Sequence, residues 1–168
     1  VEQMGPSDRM TLIAFDDQAH PLARGLGRGR ELDDAVRQLA DVGGGGTALG
    51  AAFSEVRKSL SRAGASKETQ RIVLLTDGED NEPDKAINEA RQIAEEYHLP
   101  IFAFGTGDSR ADFLMEVCKM TLGGAFDDIR NEREAEDSFQ KFFTGQKNIL
   151  ATNVTLDLWL SPEIFVRE

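Results

Sequence analysis

Short unbroken apolar runs alternate along this chain with longer stretches whose apolar positions recur every three or four residues. Residues 9–15 (Arg-Met-Thr-Leu-Ile-Ala-Phe) are short, β-branched and apolar. Gly5, Pro6, Ser7 and Asp8 precede them and Asp16 and Asp17 follow, which predicts a buried strand. Residues 19–23 predict a brief edge strand and residues 25–29, rich in glycine, a loop. Leu32, Val36 and Leu39 recur at helical spacing within residues 31–40. Four consecutive glycines from Gly43 to Gly46 then break regular structure, because a residue without Cβ gives up the most backbone freedom on ordering. Leu49, Phe53, Val56 and Leu60 line one face of a helix expected over residues 47–63.

The second half repeats the alternation. Residues 72–75 are a continuous apolar run ending at Thr76, Asp77 and Gly78, and residues 101–104 form another, closed by Gly105, Thr106 and Gly107. Pro83 is a start signal for a helix over residues 84–97. A helix over residues 110–120, a short strand over 124–129 and a helix over 132–143, with Ala135, Phe139 and Phe142 on its buried side, complete the series. Strands that are apolar throughout and separated by helices imply a mostly parallel sheet covered on both faces, the doubly wound, Rossmann-like α/β class. Residues 153–160 differ: polar and apolar positions alternate apart from Trp159, as in a half-exposed antiparallel strand. The expected division is therefore one α/β domain over residues 1–148, followed by residues 149–168 as an edge extension or the start of a β-rich module.

Composition narrows the function. A chain of 168 residues, 40% hydrophobic and 29% charged, has the make-up of one globular domain. A net charge of −11 argues against nucleic acid as the partner, since phosphate binding needs clustered Lys and Arg. No apolar run reaches the roughly 18–20 residues that span a bilayer, so no membrane span is expected. Cys118 is the only cysteine, which excludes an internal disulfide and favours a reducing compartment. A bacterial cytoplasmic location is the expectation, with export left open. Cys118 falls on the apolar side of its helix, and His20 and His98 have no paired ligand spacing, so core and surface positions are expected for them.

Candidate chemistry collects in two loops at strand ends, where open α/β sheets gather their ligands. Thr47 sits where the glycine run enters a helix, so its hydroxyl can cap that helix or reach a metal ion. Asp77 follows directly on an apolar strand, and Gly78 allows a sharp exit. Hard oxygen donors of this kind suit Mg²⁺, or Mn²⁺ and Ca²⁺, better than zinc. The glycine run lacks the lysine of a phosphate-binding P-loop. The acidic group Glu79, Asp80, Glu82 and Asp84 reads as a solvated loop that could shape partner specificity, and Asp16 and Asp17 end another strand.

A glycine-flanked threonine at a helix start, followed after that helix by strand-Thr76-Asp77-Gly78-Glu79, resembles the second and third elements of the metal-ion-dependent adhesion site of von Willebrand factor type A domains. Residues 7–15 and 101–107 resemble that family's second and fifth strands, and the likeness runs from about Gly5 to Phe143. The resemblance implies a divalent ion held by Thr47 and Asp77, an open coordination position for an Asp or Glu of a protein partner, and a rim including Asp16, Gly46, Gly78 and Glu79. It implies binding, not catalysis. The family's first metal loop, Asp-x-Ser-x-Ser at the end of the first and central strand, has no counterpart here, and residues 1–4 look like the tail of the helix that follows it. Such a strand would lie in a cleaved or cropped upstream segment, the expected case, or come from another chain. Without it the chain is expected to hold metal weakly or not at all. Two alternatives are a structural A-type domain that binds partners without metal and a phosphate-handling hydrolase, for which no paired Lys, His or Asp arrangement is evident.

Overall fold

A computed structural model describes residues 4–42, 45–63, 70–76, 80–106, 111–121 and 123–147. The strand expected over 153–160 and the division at 148 lie outside these residues, as do Gly43, Gly44, Asp77, Gly78 and Glu79. The first apolar run forms β1 (Met10–Phe15), which pairs antiparallel with β2 (Ala19–Leu26). This second strand outruns the expected 19–23. The register shifts between Met10 and Ile13, so an irregular ladder continues until Met10 faces Leu26. Gly25 is thus inside the strand and not in a loop; it takes a left-handed φ of 59°, open to glycine without cost, and its N–H donates to Thr11 Oγ1 at 3.1 Å.

Helix α1 (Arg30–Gln38) follows and tightens into a 3₁₀ turn over Leu39–Asp41. Leu32 and Ala35 bury against Ala23, with Met4, Met10, Leu12, Leu22 and Leu26 packed around them. Helix α2 (Leu49–Ala63) leads to β3 (Ile72–Thr76), α3 (Pro83–Tyr97), β4 (Ile101–Thr106), α4 (Ala111–Lys119), β5 (Ala125–Ile129) and α5 (Glu132–Lys147). Pro83 stands at the start of α3, where its fixed φ suits the helix and its absent N–H is not needed. His98 closes α3 in the left-handed region at φ 54°.

β3, β4 and β5 form a parallel sheet in that order, with Leu74 opposite Ala103 and Ala103 opposite Phe126. One face is sealed. Leu49 and Phe53 of α2, Ala86, Ala90 and Ile93 of α3, and Leu114, Val117 and Cys118 of α4 bury Leu74, Ile101 and Ala103. Burial also pushes the Cys118 thiol up, so it stays protonated, as expected of a core residue. The other face carries α5, whose Ala135, Phe139 and Phe142 cover Phe102, Phe104 and Ile129. The Phe104 and Phe139 rings stack with centroids 4.5 Å apart, and Phe142 meets Phe102 edge-on at the same separation. Helices therefore lie on both faces of a parallel sheet, as the doubly wound class requires.

Cover on that second face stops short of β3. Val73 lies opposite Phe102 and Leu75 opposite Phe104, yet they remain 40% and 53% exposed. Among the described residues, β1 has no partner on the side away from β2, and β3 none on the side away from β4. The hairpin and the parallel sheet remain two sheets, joined chiefly through α2. The open edges of β1 and β3 and the bare face of Val73 and Leu75 thus occur together among the described residues.

Candidate functional site

Thr47 lies on the segment that enters α2, and four consecutive residues of that segment are each tied to another loop. Gly46 N–H donates to Asp17 Oδ1 at 3.0 Å, and Thr47 C=O accepts from Asn81 N–H at 2.8 Å. Ala48 N–H donates to the Asp16 carbonyl at 2.8 Å, and Leu49 N–H to Asp80 Oδ1 at 3.1 Å. The ties alternate between the β1–β2 turn and the loop after β3. Each contributes about 0.5–1.5 kcal/mol net. Together they fix the backbone that carries the threonine.

This arrangement bears on the capping role open to Thr47. The Ala48 carbonyl accepts the first helical bonds of α2, from Ala51 and Ala52, so Ala48 flanks the helix and Thr47 lies two residues before its first residue, Leu49. Asp80, reaching across from the next loop, takes the first free helical N–H. Thr47 is therefore not the helix cap, and its hydroxyl is not consumed by one. Asp80 is likewise not the solvated side chain expected of its acidic stretch: it is half-buried, and its Oδ2 is buried without a hydrogen-bond partner among the described residues.

Of the expected site residues, the structure brings Thr47, Gly46 and Asp16 together, while Asp77, Gly78 and Glu79 lie outside the described residues. Asp16 is held within its own turn. Its Oδ1 accepts the Gln18 N–H at 2.9 Å and lies 2.9 Å from His20 Nε2, so His20 is a satisfied surface residue. The His20 contact, then the Gln18 N–H, holds the Asp16 carboxyl below the usual carboxylate range. Asp17 and Asp80, which the sequence named only as strand-end and solvated-loop acids, and Asn81, which it did not single out, are further contributors. Asp17 and Asp80 reach the Thr47 segment across 29 and 31 residues of chain, and Asn81 also meets Asp17 across 64; only the acidic residues at two strand ends hinted at them.

The described residues alone include no group of three or more His, Cys, Asp or Glu able to hold a metal ion. What they do form is an oxygen-rich rim at the strand ends, and comparison with known proteins identifies its family. The family model for the von Willebrand factor type A domain matches residues 1–141. The chain belongs to the von Willebrand factor type A family. An uncharacterized protein of Synechocystis is 27% identical to it over 97% of the chain, and the chain spans 39% of that protein's length. Among solved structures, a von Willebrand factor type A protein from Catenulispora acidiphila superposes with a TM-score of 0.71 at 17% identity, covering 84% of this chain and 34% of that one. The manganese-loaded TRAP protein of Plasmodium vivax gives 0.65 at 21% identity, covering 84% of this chain and 60% of that one. At such identities the structural likeness speaks for the fold. Von Willebrand factor type A domains commonly mediate protein–protein interaction, in many cases through a metal ion. No described helix of this one is long and apolar enough to cross a membrane.

Proposed function

We propose that the intact domain holds a divalent cation, Mg²⁺ or the related Mn²⁺ or Ca²⁺, at the rim around Thr47 and Asp77, and uses it to capture an Asp or Glu side chain of a protein partner. The observation that carries this reading is the fixed Thr47 segment, whose four backbone ties leave the threonine hydroxyl uncommitted to the helix behind it. The donor set fits such an ion. Hydroxyl and carboxylate oxygens are hard ligands, and Asp80 Oδ2 beside the segment, buried and without a hydrogen-bond partner among the described residues, adds negative potential that favours a cation. The manganese carried by the Plasmodium vivax neighbour is consistent with the reading.

Bound there, the ion would supply an open coordination position and charge attraction for an outside carboxylate. The protein's part is to hold few enough anionic ligands that the ion stays partly uncompensated. Asp16, Gly46, Gly78 and Glu79 then form the rim that a partner meets. The Asp-x-Ser-x-Ser loop belongs to the strand that would fill the slot between β1 and β3, supplied by an upstream segment of the same protein or by a second chain. This chain by itself is accordingly a weak metal binder, and its role is recognition rather than catalysis.

Titrating Mg²⁺ into the full-length protein by calorimetry tests the reading. The expected result is saturable heat that Thr47→Ala and Asp77→Ala each weaken by about tenfold or more, the usual range for loss of a metal-site group. No heat in the unaltered protein overturns it and leaves the metal-independent interaction domain in its place.

A further inference from the structure

From the sequence Asp17 is only an acid at a strand end, yet its carboxylate occupies a distinctive place. Its Oδ1 accepts the Gly46 N–H at 3.0 Å and the Asn81 side-chain amide at 3.4 Å, so one exposed side chain touches both loops of the rim. A Cβ on either glycine opposite it would push that carboxylate from its place. A Cβ on Gly45 would stand 2.7 Å from Asp17 Oδ2. A Cβ on Gly46 would stand 2.7 Å from Asp17 Oδ1 and would overlap the Asn81 amide. Real Cβ atoms essentially never come so close, so the glycines make the space that the carboxylate fills.

The other ties to this segment are made differently. Those at Thr47 and Ala48 join backbone to backbone, and the one at Leu49 lies within the first turn of α2. Asp17 provides, among the described residues, the side-chain tie on the glycine side of Thr47. Glycine backbone left unanchored samples many conformations. A segment correct only part of the time weakens whatever binds it in proportion to the time lost.

We infer that Asp17 is a positioning residue: a carboxylate latch from the β1–β2 turn that holds Gly46, and with it the Thr47 hydroxyl, in the geometry in which a cation is received. It acts through the loop and is not itself a ligand. The inference rests on the metal reading only for its consequence; the latch is a property of the protein without metal.

Two measurements on the full-length protein separate the latch from its consequence. The first is exchange of the Gly46 amide hydrogen in metal-free protein. Asp17→Ala is expected to speed it by about tenfold, the change that follows when one tie worth about 1.4 kcal/mol is lost, while Asp17→Asn, which keeps an acceptor oxygen but not the charge, leaves it within about threefold of the unaltered protein. The second is Mg²⁺ affinity by calorimetry, expected to fall about tenfold in Asp17→Ala and to be largely rescued in Asp17→Asn. An Ala variant whose Gly46 amide exchanges as before overturns the latch. An Asn variant that loses Mg²⁺ affinity as fully as Ala, with its Gly46 amide still protected, overturns it too, because charge on Asp17 rather than position would then be the cause. Accelerated exchange in Asp17→Ala with no Mg²⁺ heat in any protein keeps the latch and rejects the metal reading.

Discussion

The two sheets of this domain are held by different means. The parallel sheet is secured by apolar burial: β4 is buried almost end to end, with α2, α3 and α4 packed on one face and Phe139 and Phe142 of α5 against Phe102 and Phe104 on the other. The β1–β2 hairpin has a small core of its own under α1 and joins the rest through α2, by Phe15 packing, the Asp16 and Asp17 ties, and the Arg24–Glu55 ion pair. Burial is non-directional and cumulative, whereas directed polar contacts fail one at a time. The hairpin should therefore be the part that opens first, and it is the part that carries half of the rim.

The largest effect should come from Phe53, which is 2% exposed and sits in α2 against the parallel sheet. Phe53→Ala is expected to cost about 3–5 kcal/mol in chemical denaturation. A loss below about 1 kcal/mol would mean that burial does not dominate this half.

Glu55 tests the hairpin side. Its Oε1 accepts from Arg24 Nη2 at 2.6 Å and its Oε2 from Lys58 Nζ at 3.3 Å, and the Arg24 bond, ahead of Lys58, holds its carboxyl below the usual range. A carboxyl depressed in the folded state stabilises above its ordinary titration range, and that contribution disappears as pH falls through the folded value. Glu55→Gln should cost about 1 kcal/mol at neutral pH, discounted because the Arg24 side chain is 42% exposed. Melting curves of the two proteins should converge in acid; a gap that stays constant would rule out the ion pair as its source.

Leu75 should show the smallest effect. Because it is 53% exposed, Leu75→Ser should shift the stability of this chain by less than about 0.5 kcal/mol. In the full-length protein, where the slot beside β3 is proposed to be filled, the same change should cost about 1–3 kcal/mol. Equal small effects in both would mean that nothing covers this face.

Much of the scaffold could be read from residue patterns because it follows from local periodicity. The runs Ile72 to Leu75 and Ile101 to Phe104 have no polar face, which predicts burial on both sides; the second run meets this, whereas Val73 and Leu75 of the first stand exposed on one face among the described residues. The sequence also lacks a match to the family's first metal loop, and among the described residues the flanks of β1 and β3 are unpaired. What escaped the sequence was set by contacts between distant residues. Asp80 looks solvated among its acidic neighbours until Leu49, 31 residues earlier, is placed against it. The reach of β2 through Gly25 depended on a shifted register, and the left-handed turn at His98 occupies a position where glycine is the usual signal.

Among the described residues the outer flanks of β1 and β3 are unpaired. Strand pairing is made by peptide groups that every residue except proline carries in full, so those flanks discriminate poorly by side chain among the strands offered to them. Selection then falls to proximity. A segment on a short tether presents itself at an effective concentration of about a millimolar, which free competitors rarely match. Fidelity of assembly in such a domain would thus be written in its connectivity as much as in its residues.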